Sequence, residues 1–124
     1  MFNYGLDTFT ESLEKSDSKN SKKYLPLLDV YENGEKFIVE LELPGITKEN
    51  LRVKLEDGEL LISAKRIRED GINPIHSERY FGEIERRVKF HVPISEEDIK
   101  AKLEDGLLKI ELKKIENKKE IKIN

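Results

Sequence analysis

The chain has 124 residues and no cysteine, which amounts to one domain with short arms and excludes a disulfide scaffold, thiol catalysis, an iron–sulfur cluster and a cysteine zinc site. Lys plus Arg number 23 and Asp plus Glu 26, a net charge of −3 that is too acidic and too mixed for a dedicated nucleic-acid binder. The two histidines, His76 and His91, are too far apart in sequence for the usual transition-metal spacings.

Residues 1–23 read as a variable arm. Phe2, Leu6, Phe9 and Leu13 follow one another at spacings of four, three and four, the stripe of a short helix. The polar run Ser16-Asp17-Ser18-Lys19-Asn20-Ser21-Lys22-Lys23 then reads as a linker. An isolated helix of that length is marginal in water. Two readings stand: a terminal helix docked on its own domain, or an arm that binds another surface.

From Leu27 to Leu112 the apolar period is two. Phe37, Val39, Leu41 and Leu43 share a face, as do Leu51, Val53 and Leu55, then Leu60, Ile62 and Ala64, then Leu108, Ile110 and Leu112. Such alternation predicts strands with one buried face. Turn signals separate them at Asn33-Gly34, Pro44-Gly45, Asp57-Gly58, Asp70-Gly71 and Asp105-Gly106. The expected fold is an all-β, immunoglobulin-like antiparallel sandwich over 24–114, with a short helical arm before it and an extended tail over 115–124. Leu55-Glu56-Asp57-Gly58-Glu59-Leu60 resembles Leu103-Glu104-Asp105-Gly106-Leu107-Leu108, so each copy predicts a hairpin with an Asp-Gly turn. Ser95-Glu96-Glu97-Asp98-Ile99 predicts a helical or 3₁₀ turn, with Ser95 as its cap and Asp98 at the capping-box position.

The longest interruption runs from Lys65 to Glu83. A long loop in a small domain usually has a job. Within it, Ile75 to Phe81 reads as a short strand that can pair with a neighbour's sheet if it finds no place in its own.

Two features exceed what a plain sandwich needs. Ile84, Val88, Phe90 and Val92 form one apolar row, and Arg86 falls on it while Arg87 falls on the charged face. A guanidinium there is costly unless it is paired or lies at a subunit contact. The plainer reading is a face that opens to water, with the arginine stem lying over apolar atoms. The second feature is Ile121-Lys122-Ile123 after the charged run Glu116-Asn117-Lys118-Lys119-Glu120. In an extended chain Ile121 and Ile123 point the same way. They suit a groove on another molecule, or else form a last edge strand on their own subunit.

Evidence for chemistry is absent. The sequence has no Gly-rich phosphate loop and no nucleophile elbow, and its histidines read as surface residues. No apolar run approaches the ~20 residues of a membrane span, and the first residues lack the basic and apolar regions of a signal peptide. A cytoplasmic protein with no stable membrane association, no nucleic-acid partner, no metal and no cofactor is expected. The charged fraction of 40% and the wealth of Lys and Glu lean toward a thermophile.

Four segments together resemble the small heat shock proteins, the α-crystallin domain or Hsp20 family. They are Leu43-Pro44-Gly45 with Leu51-Arg52-Val53, Gly82-Glu83-Ile84-Glu85-Arg86, Ala101 to Leu108, and Ile121-Lys122-Ile123, in the family's order. The departures are Leu107 for the usual Val, Ile84 for Phe, and a proline at Pro93 rather than nearer the arginine strand. The last leaves Arg87 as an alternative to Arg86 for the family's arginine, and the face argument favours Arg86. A microbial member, of archaeal or thermophilic type, is the version suggested.

The resemblance implies an ATP-independent holdase that binds partly unfolded proteins and prevents their aggregation. It implies a dimer that swaps a strand from the long loop, placing Arg86, Ile75, Tyr80 and Phe81 at the dimer interface. Ile121 and Ile123 would anchor in a groove on another dimer, lined by Leu51, Val53, Leu55, Ala101 and Leu103, to build a large homo-oligomer. Phe2, Tyr4, Leu6, Phe9 and Leu13 would supply flexible client-binding surface. The alternative is a p23-like co-chaperone or adaptor, a similar sandwich of small size without that tail. An enzyme or carbohydrate-binding sandwich would need a polar concave site, which the sequence does not offer.

Overall fold

The computed structural model describes residues 9–12, 24–115 and 123. The described residues form eight strands in two four-stranded antiparallel sheets. The strands are β1 (Phe9–Ser12), β2 (Leu28–Asn33), β3 (Lys36–Glu42), β4 (Leu51–Glu56), β5 (Glu59–Arg66), β6 (Gly82–Phe90), β7 (Ile94–Glu104) and β8 (Leu107–Lys114). One sheet has the order β1-β6-β5-β4 and the other β2-β3-β8-β7.

The alternation read from sequence sets which face each strand buries. Phe37, Val39 and Leu41 of β3 are buried, as are Leu60, Ile62 and Ala64 of β5 and Leu108, Ile110 and Leu112 of β8. These rows meet in one core, in which the Phe37 and Phe90 rings pack 4.8 Å apart. Each fully buried Leu, Ile, Val or Phe contributes about 1.5–3 kcal/mol relative to exposure.

Both near-repeats are the tight hairpins their sequences predict. Asp57 and Gly58 have φ of 51° and 74°, and Asp105 and Gly106 have 53° and 76°. Two consecutive left-handed residues twist the turn to match its strands, and Asp-Gly tolerates that conformation best. The first turn closes the register Glu56↔Glu59 and the second Glu104↔Leu107.

Two local expectations are corrected. Phe9–Ser12 is a strand on the edge of β6, with register Phe9↔Phe90 to Ser12↔Arg87, rather than part of a helix. An exposed sheet edge offers the backbone partners that a marginal helix lacks. Residues 95–99 belong to β7 rather than to a helical turn. The strand bulges between Ile94, opposite Lys114, and Ile99, opposite Leu112. The Glu97 amide does donate to Ser95 Oγ at 3.4 Å, so the capping signal marks the bulge. Within its own chain the segment Ile75–Phe81 pairs with neither sheet, the case in which the sequence points to a neighbour's sheet. The one helical turn among the described residues is 3₁₀, at Lys48–Asn50.

Candidate functional site: two sheet edges and an arginine-held loop

β4 and β7 are edge strands of opposite sheets. On β4, Leu51, Val53 and Leu55 are half-buried, while Arg52, Lys54 and Glu56 face water. On β7, Ile99 and Leu103 are half-buried and Ala101 between them is exposed. Leu51, Val53, Leu55, Ile99 and Leu103 all pack against the same core cluster. Partial burial on both edges leaves apolar surface that a further side chain can cover. Ile99 was missed in the sequence because its position read as the end of a capped turn; its period-two spacing to Ala101 and Leu103 was the available signal.

Ile123 is 92% exposed, so it does not rest on this chain's own sheets. Ile121 lies outside the described residues, as do Phe2, Tyr4, Leu6 and Leu13. Phe9 is placed only as the first residue of β1.

Arg86 occupies the buried row of β6, opposite Ile62 of β5, and is 7% exposed. Its Nη1 donates to the carbonyl oxygen of Pro26. Burial lowers its pKa from the usual guanidinium value. Arg87 lies on the opposite face, where it donates to Glu85 at 2.9 Å and sits 3.5 Å from Glu59. The open-face reading for Arg86 therefore does not hold, because the guanidinium is enclosed.

A second arginine on an inward row was not anticipated. Arg66 ends the buried series Leu60, Ile62, Ala64 on β5 and is 6% exposed. It donates to the carbonyls of Pro44 at 3.0 Å and Tyr80 at 3.2 Å, and to the Tyr24 hydroxyl at 3.4 Å. Tyr24 and Tyr80 stack at 5.4 Å, and Arg66 lies over the Tyr24 ring. The same period-two count that singled out Arg86 also reaches Arg66.

These contacts fix the root of the long loop. Arg68 lies 4.1 Å and Arg79 4.9 Å from the centre of the Phe81 ring, and Arg68 donates to Ser77 at 2.7 Å. Tyr80 donates to the Glu83 carbonyl at 2.7 Å. Tyr80 and Phe81 are half-buried at the root, whereas Ile67, Ile72 and Ile75 stand exposed, Ile75 completely. His76 pairs with Glu78 in the open, and His91 is exposed, so both histidines are surface residues.

Among the described residues no group of three His, Cys, Asp or Glu side chains is placed to hold a metal ion. No helix among them is long and apolar enough to cross a membrane.

The two antiparallel sheets, the buried arginine strand, the long loop before it and the twin Asp-Gly hairpins define an α-crystallin type β-sandwich. The chain belongs to the Hsp20/alpha crystallin family, which it matches over residues 29–124. It is 37% identical over 84 residues to the heat shock protein HSP.16.4 of Streptococcus thermophilus, covering 64% of this chain and 59% of that one. Among solved structures it resembles heat shock protein 16.0 of Schizosaccharomyces pombe, with a TM-score of 0.69, 32% identity, and coverage of 87% of this chain and 81% of that one. A small heat-shock protein of Xylella fastidiosa, described as having a distinct high order structure, aligns with a TM-score of 0.70 and 26% identity over 83% of this chain and 97% of that one. The chain spans 42–59% of the lengths of three curated relatives that it matches. The archaeal type suggested with the resemblance is not borne out: five of the curated relatives are bacterial or from a yeast.

Proposed function

We propose that this protein is an ATP-independent chaperone of the holdase type, which binds partly unfolded proteins and keeps them from aggregating. Family membership carries this reading. The physical requirements are modest: apolar surface that can be uncovered, a charged body that keeps the complex dispersed, and no reaction chemistry. The 40% charged fraction meets the second. The arm residues Phe2, Tyr4, Leu6, Phe9 and Leu13 and the half-buried edge rows are the apolar surface.

Assembly follows from the same surfaces. The exposed Ile75 loop would lend its segment to a partner's sheet, with Tyr80 and Phe81 at its root, making a dimer with Arg86 in the strand behind it. Ile121 and Ile123 would then fill the slot beside Leu51, Val53 and Leu55 on one edge and Ala101 and Leu103 on the other. The 92% exposure of Ile123 and the open position at Ala101 support this. Many weak tails in a closed assembly multiply through effective concentration. The protein would work in the cytoplasm, with itself and unfolded clients as partners and no cofactor.

The test is suppression of light scattering from heated citrate synthase, at near-equal subunit amounts and without nucleotide. Suppression is expected. A client that scatters equally with and without the protein at every temperature removes the reading.

A further inference from the structure

Arg66 and Arg86, both on inward rows, hold the same short segment of chain. Arg66 donates to the Tyr24 hydroxyl at 3.4 Å, and Arg86 donates to the Pro26 carbonyl. Residues 24–27 lead into β2, and the arm precedes them in the chain. Arg66 also donates to the Tyr80 carbonyl, where the long loop returns to β6, and to the Pro44 carbonyl. One guanidinium thus joins the point where the arm enters the sandwich to the exit of the loop. The Tyr24 and Tyr80 rings reinforce the join by stacking 12° from parallel.

Tyr80 is placed for this by its neighbours. Its hydroxyl donates to the Glu83 carbonyl at 2.7 Å, and its ring lies over Gly82. A methyl group at Gly82 would sit 3.1 Å from that hydroxyl, and φ there is 130°, a backbone that other residues rarely adopt. Beyond this root, residues 69–79 are exposed, so the root decides whether the loop stays on its own subunit.

From this arrangement we infer that the Tyr24–Arg66–Tyr80 contact is a latch: a seated Tyr24 keeps the loop on its own subunit, and a pull on the arm that unseats Tyr24 releases the loop to be lent to a partner. This rests on the assembly proposed above, in which the loop is the lent element, and adds what controls its release. The latch opens at small cost. Its acceptors are two carbonyls and a hydroxyl, and neutral hydrogen bonds of that kind are modest in net strength. Tyr24 and Tyr80 are each only half-buried, so unseating one exposes little new apolar surface. When Tyr24 leaves, Tyr80 loses its stacking partner and Arg66 loses an acceptor together, so the two sides are coupled. Linkage makes the coupling reciprocal: a lent loop loosens Tyr24 as much as a displaced Tyr24 loosens the loop.

Three variants test it. Tyr24→Leu keeps an apolar side chain against the core but loses the stack and the hydroxyl, whereas Tyr24→Phe keeps the stack. Leu27→Ala alters a side chain of the same segment that is 73% exposed, and serves as the control. Under native conditions trypsin should cut at Arg68 and Arg79 about fivefold faster in Tyr24→Leu than in the wild type, and within about twofold of the wild-type rate in the other two. Hydrogen exchange in β8 should be equal in all four proteins, which separates release of the loop from general loosening. A wild-type cleavage rate in Tyr24→Leu overturns the proposal, as does an equal rise in Leu27→Ala or a parallel rise in β8 exchange.

The lending step is read by mixing heavy-isotope-labelled with unlabelled protein and following mixed dimers by native mass. Mixed dimers should form several-fold faster in Tyr24→Leu. Faster cleavage with unchanged mixing overturns the proposal while leaving the assembly reading intact, because the freed segment is then not the one that is lent. A wild type that stays monomeric at every concentration removes the assembly reading itself, and the latch with it. None of these measurements involves a client, so the chaperone reading stands or falls separately.

Discussion

Arg86 on β6 donates a hydrogen bond to the carbonyl of Pro26, 60 positions earlier in the chain and just before β2. The contact ties one sheet to the segment that leads into the other. Both groups are buried, so each would be costly without a partner.

Arg86→Ala leaves the Pro26 carbonyl without this donor and opens a cavity in the core. The expected loss is about 3 kcal/mol. Arg86→Lys keeps a charge but not the planar fork, and should lose about 1–2 kcal/mol. Arg87→Ala removes a half-exposed pair and should stay within about 1 kcal/mol. Urea unfolding at one fixed protein concentration checks all three, since assembly makes stability depend on concentration. Equal losses at positions 86 and 87 would contradict the assignment of the two faces.

Arg66 holds the long loop by its root, through Pro44 before it and Tyr80 at its exit. Arg66→Ala should therefore act in two ways. Stability falls by about 2 kcal/mol as three acceptors lose their donor. Trypsin should also cut the segment around Arg68 and Arg79 several-fold faster, because the Tyr24–Tyr80 stack loses its brace. Global destabilisation with no change in loop cleavage under native conditions would mean that the loop is held by Phe81 alone.

The sandwich was legible because a half-buried strand must alternate, and because Asp-Gly sits where two left-handed residues are required. Arg86 was legible for the same reason: it breaks the apolar row Ile84, Val88, Phe90. Arg66 carried an equal signal at the end of Leu60, Ile62, Ala64 but stood next to a loop, where a charge draws no notice. What local pattern could not supply was the edge of another strand. Phe9–Ser12 carries a helical spacing, and only the free side of β6 makes it a strand. In the same way, Ser95 signals a cap, and only the register of β8 turns that cap into a bulge.

The two hairpin glycines differ from Gly34 in what surrounds them. At Gly34, with φ of 61°, an added methyl group meets nothing within 4 Å. At Gly106, with φ of 76°, it would lie 3.2 Å from the Cα of Pro44. Leu43 donates its amide to the Gly106 carbonyl at 2.7 Å, so the turn cannot move away without breaking that bond. Gly34→Ala should cost about 1 kcal/mol, from the left-handed backbone alone. Gly106→Ala should cost at least about 1 kcal/mol more. Thermal unfolding of the two variants side by side decides it, and equal midpoints would refute the close contact.

The slot at Ala101 can be tested from the receiving side. Ala101 is exposed between half-buried Ile99 and Leu103, so a larger apolar residue fits there without entering the core. Ala101→Phe should leave the fold's stability within about 0.5 kcal/mol, as for most surface substitutions. Its ring would nevertheless fill the space that the tail residues are proposed to occupy. Native mass should then fall from a large assembly to dimers. Replacing Ile121 and Ile123 by serine should produce the same fall from the other partner, and combining both changes should add nothing further, since each removes one side of the same contact. A full-sized assembly in the Ala101→Phe variant would place the anchor elsewhere on the sandwich, even if the serine variant came apart.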